Sequence, residues 1–212
     1  MRSIATFAVA ALVLPAGLLF TRSEAASAAP APAPAPVSAP AGDPVSGSFE
    51  IDPVHSTLLF AVRHADAGRF WGRFNGFKGK LVVDAAKPEA SSVVVEVSAE
   101  SVDTANDGRD QHLRGPDFFN AKEFPEIVFE SKKVARSAKG FQVSGELSML
   151  GVTKEVSAEA EYLGYSEGER TGKRTGYEVR FTIQRSAFGM DYMVGPGLGD
   201  EIQVVFSLEA VK

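Results

Sequence analysis

The chain has 212 residues, no cysteine, 22 Lys and Arg against 27 Asp and Glu, and a formal net charge of −5. That length suits one domain with appendages, and the missing cysteine excludes disulfide staples, thiolate metal sites and an acylated N-terminal cysteine. The mildly acidic balance argues against nucleic acid as a partner, and a chain this long can be stabilised by its core alone.

In chain order, Arg2 precedes an apolar run from Ile4 to Phe20, broken by Pro15 and Gly17 and followed by small residues. This is the layout of a secretory signal peptide over residues 1–28, with cleavage after Ala25 or Ala28. The run is too broken to favour a membrane span, which needs about 20 residues. The expected address is the periplasm, with full secretion as the other destination of an exported chain. Residues 29–47, "APAPAPAPVSAPAGDPVSG", alternate Ala with Pro and read as an extended tether or spacer with no core to bury.

Residues 48–212 read as the folded unit, in which period-two alternation dominates. In "STLLFAVRH", Leu58, Phe60, Val62 and His64 share one face. "FWGRFNGFKGKLVVD" changes phase: Phe70 and Phe74 share one parity, Phe77, Leu81 and Val83 the other, which predicts a bulge or kink at Gly76. "VVVEVSAES" and "EIVFESKKV" read as further strands. Between them "TANDGRDQHLRG" has helical signals: Thr104 and Asp107 at capping-box spacing, Arg114 in the last turn, and Gly115-Pro116 as the stop. A second turn starts at Pro116 and carries Phe118 and Phe119. Asp110 and Arg114, four apart, read as a paired or solvated outer face. "FQVSGELSM", "VSAEAEY", "YEVRFTIQRS" and "EIQVVFSLEA" complete about eight strands joined mostly by short turns, which implies an antiparallel meander closed as a barrel or folded as a sandwich. The polar faces point to water, opposite to an outer-membrane barrel.

Chemistry-bearing motifs are sparse. "GYSEG" matches G-x-S-x-G, but a charged loop follows and no His occurs after His112, so it reads as a hairpin end. His55 and His64 have opposite parity and His112 offers only Asp110 nearby in sequence, which does not make a metal site. His64 falls inside the apolar stripe, either as a satisfied core histidine or as a polar anchor at a cavity mouth. Arg185 continues the Tyr177–Ile183 face and needs a partner unless the strand end exposes it. With 15 Phe, 4 Tyr and one Trp, the interior is either filled by rings or left open beside the small inward residues Gly145, Ala158 and Ala160.

"IDPVHSTLLFAVRH", "SVDTANDGRDQHLRGPDFFNAKEFPEIVFES", "GELSMLGVTKEV" and "RSAFGM" resemble, in order and spacing, the YceI family of exported lipid-binding proteins, from about Phe49 to the C-terminus. The resemblance implies an all-β fold: a single eight-stranded antiparallel lipocalin-like barrel with a short helical insertion near residues 105–120. It also implies an interior that holds a polyisoprenoid or another long-chain amphiphile, no catalytic activity and no cofactor. By parity the apolar pocket maps to Phe60, Val62, Val95, Val97, Phe129, Leu147, Phe181 and Ile183. His64, Trp71, Phe74 and Met149 extend it, and Leu113, Phe118 and Phe119 are expected, with Phe124, to pack across one end. Pairing of two copies and transient membrane contact are compatible with this pattern, although no strand edge stands out. Two other readings stay open: a lipid-modifying hydrolase or isomerase using His64 or His112, and a structural domain with a filled core.

Overall fold

The computed structural model describes residues 42–138, 140–195 and 197–212. The signal segment and most of the tether lie outside the described residues; the first strand begins at Gly47, the last residue assigned to that tether.

The strands are β1 (Gly47–Ile51), β2 (Thr57–His64), β3 (Gly68–Phe74), β4 (Phe77–Val83), β5 (Ser92–Ser98), β6 (Val102–Asp103), β7 (Glu126–Ser137), β8 (Gly140–Met149), β9 (Val152–Gly168), β10 (Gly172–Gln184) and β11 (Leu198–Val211), with helix α1 (Asp107–Arg114) between β6 and β7. Three strand pairs are single strands interrupted once. β1 and β2 both lie against β11, with Ile51 opposite Ala210 and Thr57 opposite Ser207. β4 and β3 line β1 and β2, and β5 and β6 line β4 and β3. With each interrupted pair taken once, eight antiparallel strands follow in chain order, and the return of β11 onto β1 closes the barrel.

The phase change expected at Gly76 is a break between β3 and β4 rather than one inserted residue. Asn75 donates its N–H to the Ser101 carbonyl (3.1 Å), and the Ser98 N–H reaches the Gly76 carbonyl (2.8 Å). Each half therefore keeps its apolar parity inward. Among the described residues three register shifts lie elsewhere: one in β11, where Leu198 opposes His64 and Ile202 opposes Val62, and two single-residue bulges. Ser131 opposes Gly145 and Lys133 opposes Ser144, so Lys132 is the extra residue and the inward parity passes from Phe129 to Val134. A Cβ on Gly145 would lie 2.3 Å from the Glu130 carbonyl oxygen, so only glycine fits beside this bulge. Leu163 is the second extra residue, between Tyr162 and Gly164, and it is turned outward.

The helix forms where the sequence places it but is capped differently. Asn106, not Thr104, is the N-cap: its side-chain oxygen accepts the Arg109 N–H at 2.9 Å. Asp110 is not paired with Arg114 on an outer face. It is buried and accepts both the N–H and the hydroxyl of Thr104, while Arg114 donates to the carbonyls of Glu100 (2.8 Å) and Val102 (2.9 Å). An eight-residue helix is marginal on its own. Asp110 and Arg114, four apart on one face, thus fasten that face to the strand end below it.

Candidate functional site

Because side chains alternate along each strand, eight apolar faces converge on the barrel axis and enclose a cavity of about 660 Å³. That lies within the range of roughly 300–1,000 Å³ typical of small-molecule sites. The hollow is possible because β9 turns Ala158 and Ala160 inward, opposite Val143 and Phe141 of β8. Across the barrel, a Cβ on Gly72 would lie 2.3 Å from the Phe60 ring, so glycine lets that ring lie across β3. The cavity is thus left by small residues in the wall, not by an absence of aromatics.

Its lining includes Phe60, Val62 and His64 from β2 and Phe74 from β3. Val95 and Val97 come from β5, Phe129 from β7, Leu147 and Met149 from β8, and Phe181 and Ile183 from β10. Leu113, Phe118 and Phe119 complete the set from the helical insertion. Trp71 is the correction. It lies between the inward Phe70 and Gly72, projects to the opposite face, and is 43% exposed outside the cavity. Its aromatic character suggested the interior, but the parity it shares with Arg73 puts it outside.

One end of the cavity is a mouth lined by the end of β2, the helical insertion, the end of β8 and, from the β10–β11 connection, Arg185, Met190, Tyr192, Met193 and Gly197. Two chains of rings build it. Phe60, Phe74 and Phe119 link the barrel wall to the insertion, with centroids 5.5 and 5.3 Å apart. His112, Phe118 and Tyr192 form a mutual trio with centroids 5.1–5.4 Å apart, which joins the insertion to the β10–β11 connection. Phe124, expected beside them, packs instead against the β8–β9 turn at Gly151. His112 Nε2 also meets the Asp117 carboxylate at 2.8 Å. Toward the other end the lining includes Phe141 and Tyr177, whose rings lie 6.4 Å apart; burial pushes the Tyr177 phenol above its ordinary pKa.

The polar lining is confined mainly to the mouth: His64, Arg109, His112, Arg185 and Tyr192. His64 sits at the exposed end of β2, so its stripe carries it to the rim and not into the core. Arg185 is the opposite case. It is 2% exposed and held by backbone carbonyls, with Nε to Gly199 (2.9 Å), Nη1 to Met190 (3.0 Å) and Nη2 to Leu198 (3.5 Å). Burial pushes its pKa down, and Asp200 and Asp191 oppose this. Arg109 and Tyr192 were not readable as site residues. Arg109 looks like a solvated helix position, and Tyr192 lies in a loop without periodicity. The serine hydroxyls among the described lining residues, Ser91 and Ser92, lie before or at the start of β5, at the end away from His112.

Beyond the cavity, Asp52, His55 and Glu209 converge near the start of β2. Arg174 already donates to both carboxylates, so a fixed cation occupies the position a metal would take. The Asp52 carboxyl is held well below the usual range, first by its hydrogen bond from His55 and then by Arg174.

A family model described as a YceI-like domain matches residues 49–210. A UPF0312 protein of Yersinia pestis (strain Pestoides F) is 34% identical over 174 residues, covering 81% of this chain and 90% of that protein. The crystal structure of Burkholderia cenocepacia BcnA has the same fold, with a TM-score of 0.68 at 23% identity over 76% of this chain and 99% of that one. So does a polyisoprenoid binding domain from Saccharophagus degradans, with a TM-score of 0.60 at 14% identity over 77% and 97%.

Proposed function

The chain belongs to the YceI-like family, and on that premise we propose that it is an exported carrier that sequesters a polyisoprenoid or another long-chain amphiphile in its barrel, without covalent chemistry. The observation that carries this reading is the cavity of about 660 Å³, apolar from Phe141 and Tyr177 to a polar mouth. The polyisoprenoid named for the Saccharophagus degradans domain, which shares the fold, supports the tail class.

Burying ten methylene equivalents contributes about 8 kcal/mol before association costs. Gross burial of that size corresponds to roughly micromolar binding, so a longer tail makes the balance favourable with little help from a head group. A ligand this apolar resides in a bilayer when free, so the reading includes transient membrane contact during loading. Arg2, the apolar run and the small residues after it support export, and the address proposed for the carrier is the periplasm, with full secretion as the alternative.

The test is mass spectrometry of the mature protein purified from its own host, native and then after organic extraction. A stoichiometric lipid that survives gel filtration is the expected result, and the same spectrum shows whether two copies pair. An empty protein that also refuses added isoprenoids and fatty amphiphiles would refute the carrier.

A further inference from the structure

We propose that one lip of the mouth docks on a phospholipid bilayer, with Tyr192 and Met193 entering the apolar layer and Trp71 resting at head-group level; this rests on the carrier reading above and assigns its membrane contact to one face. Among the described residues the large apolar side chains exposed elsewhere are aliphatic. The exposed aromatic ones, Trp71 at 43% and Tyr192 at 38%, both lie here, beside Met193 at 54%.

Backbone bonds join the two segments that carry them into one edge. The β2–β3 turn donates the Ala65 N–H to the Gly197 carbonyl (2.9 Å), and Leu198, opposite His64, donates its N–H to the Met193 carbonyl (3.0 Å). Met193 itself sits in the left-handed region at φ 53°. Tyr192 and Met193 also line the cavity. The exposed apolar surface is thus continuous with the lining, and a tail drawn from a bilayer at this lip stays against apolar side chains. Trp71 lies three residues beyond Gly68, the first residue of β3, about 10 Å down the outer wall by strand rise.

The charges of the lip suit the same occupant. Arg63 and Arg69 stand directly opposite each other on the outward face, between the turn and Trp71, and like charges so placed repel. Asp66 answers Arg63 at 3.1 Å, but Arg69 has no carboxylate partner among the described residues. Phosphates at a bilayer surface accept guanidinium donors, and the arginine stems cover apolar surface on the way. Trp and Tyr favour that interfacial level. Asp66 and Asp191, both exposed, balance the two arginines, so apolar insertion supplies the attraction and a neutral bilayer suffices.

The chain has one Trp, so its fluorescence reports on this lip. The delipidated mature protein is titrated with phosphatidylcholine vesicles, alone and with phosphatidylglycerol added. The expected result with both is a blue shift and shielding from a water-soluble quencher, little changed by salt. Met193→Asn, which suits a left-handed backbone, weakens vesicle affinity about tenfold, the order for withdrawing one Met side chain from an apolar layer. Leu163→Asn, on the outer wall of β9, leaves it unchanged, and melting temperatures are recorded for both variants. Vesicle binding that leaves the Trp71 spectrum unaltered, or that Met193→Asn does not weaken, puts the contact on another face and overturns the inference. A blue shift that grows with protein concentration in the absence of vesicles, with a doubled mass in sedimentation, assigns the lip to a second copy and also overturns it. No vesicle binding by a protein that takes up an isoprenoid added from ethanol overturns the lip and leaves the carrier standing. Refusal of both refutes the carrier as well.

Discussion

Replacing Ala158 by Leu separates a hollow barrel from a filled one. Ala158 lies on the inner face of β9 opposite Val143, and both line the cavity. Leucine adds three carbons that project into that space. If an aliphatic tail occupies it, about three methylene equivalents of ligand are displaced, which at about 0.8 kcal/mol each weakens binding by about 2.4 kcal/mol, or roughly fiftyfold. The empty protein responds in the other direction, because the new side chain gains apolar contacts and its melting temperature holds or rises. A displacement titration with a fluorescent long-chain probe measures the first effect, and thermal unfolding of the delipidated protein measures the second. In a barrel already packed by its own side chains, the added carbons would instead cost about 1–3 kcal/mol in strain. Unchanged affinity together with a lower melting temperature would therefore refute the reasoning.

Phe118→Ala removes the ring shared by His112 and Tyr192; the expected result is a loss of stability near 3 kcal/mol, at the low end for a buried Phe, and faster probe release, both visible by denaturant titration and stopped flow. Gly145→Ala forces a Cβ to within 2.3 Å of the Glu130 carbonyl oxygen and lowers stability by about 2 kcal/mol, within the usual cost of overpacking, whereas full tolerance would mean that the Lys132 bulge relaxes freely. Acid acts through two aspartates. The Ala105 N–H first, then Asn75 and Arg73, hold Asp103 down to about 2, and Asp52 is depressed as well. Their folded values lie below the unfolded value of about 3.9, so their contribution is present above that pH and is lost as pH falls through about 2 for Asp103. Melting temperature should fall less steeply with acid in Asp103→Asn than in the wild type, and identical slopes would contradict the assignment.

The barrel was legible because strand alternation is a local signal: Tyr177, Val179, Phe181 and Ile183 need only their neighbours to declare a face. The same rule placed the inward residues of β2, β5 and β8, and it places Trp71 outside once parity is preferred to aromatic character. What stayed hidden depends on how segments without a period fold back on their neighbours. Asp110 looks like a solvated helix charge until Thr104 is seen to bind it. The role of Arg185 depends on carbonyls contributed by Met190, Leu198 and Gly199. Thr104 and Asn106 are both plausible caps by composition, and only the path of the chain after β6 decides between them. The mouth is therefore the part that sequence describes least, since tertiary contacts assemble it.

Closure of the barrel by β1 and β11 also has a kinetic consequence. A ring of paired strands has no seam through which a tail could slip sideways, so a guest must thread in and out lengthwise through an end. On the carrier reading, each additional segment then has to slide past the same end, where His112, Phe118 and Tyr192 line the cavity. Residence time should therefore climb with tail length, and delivery of the longest guests would depend on a receiver that draws them out from the mouth.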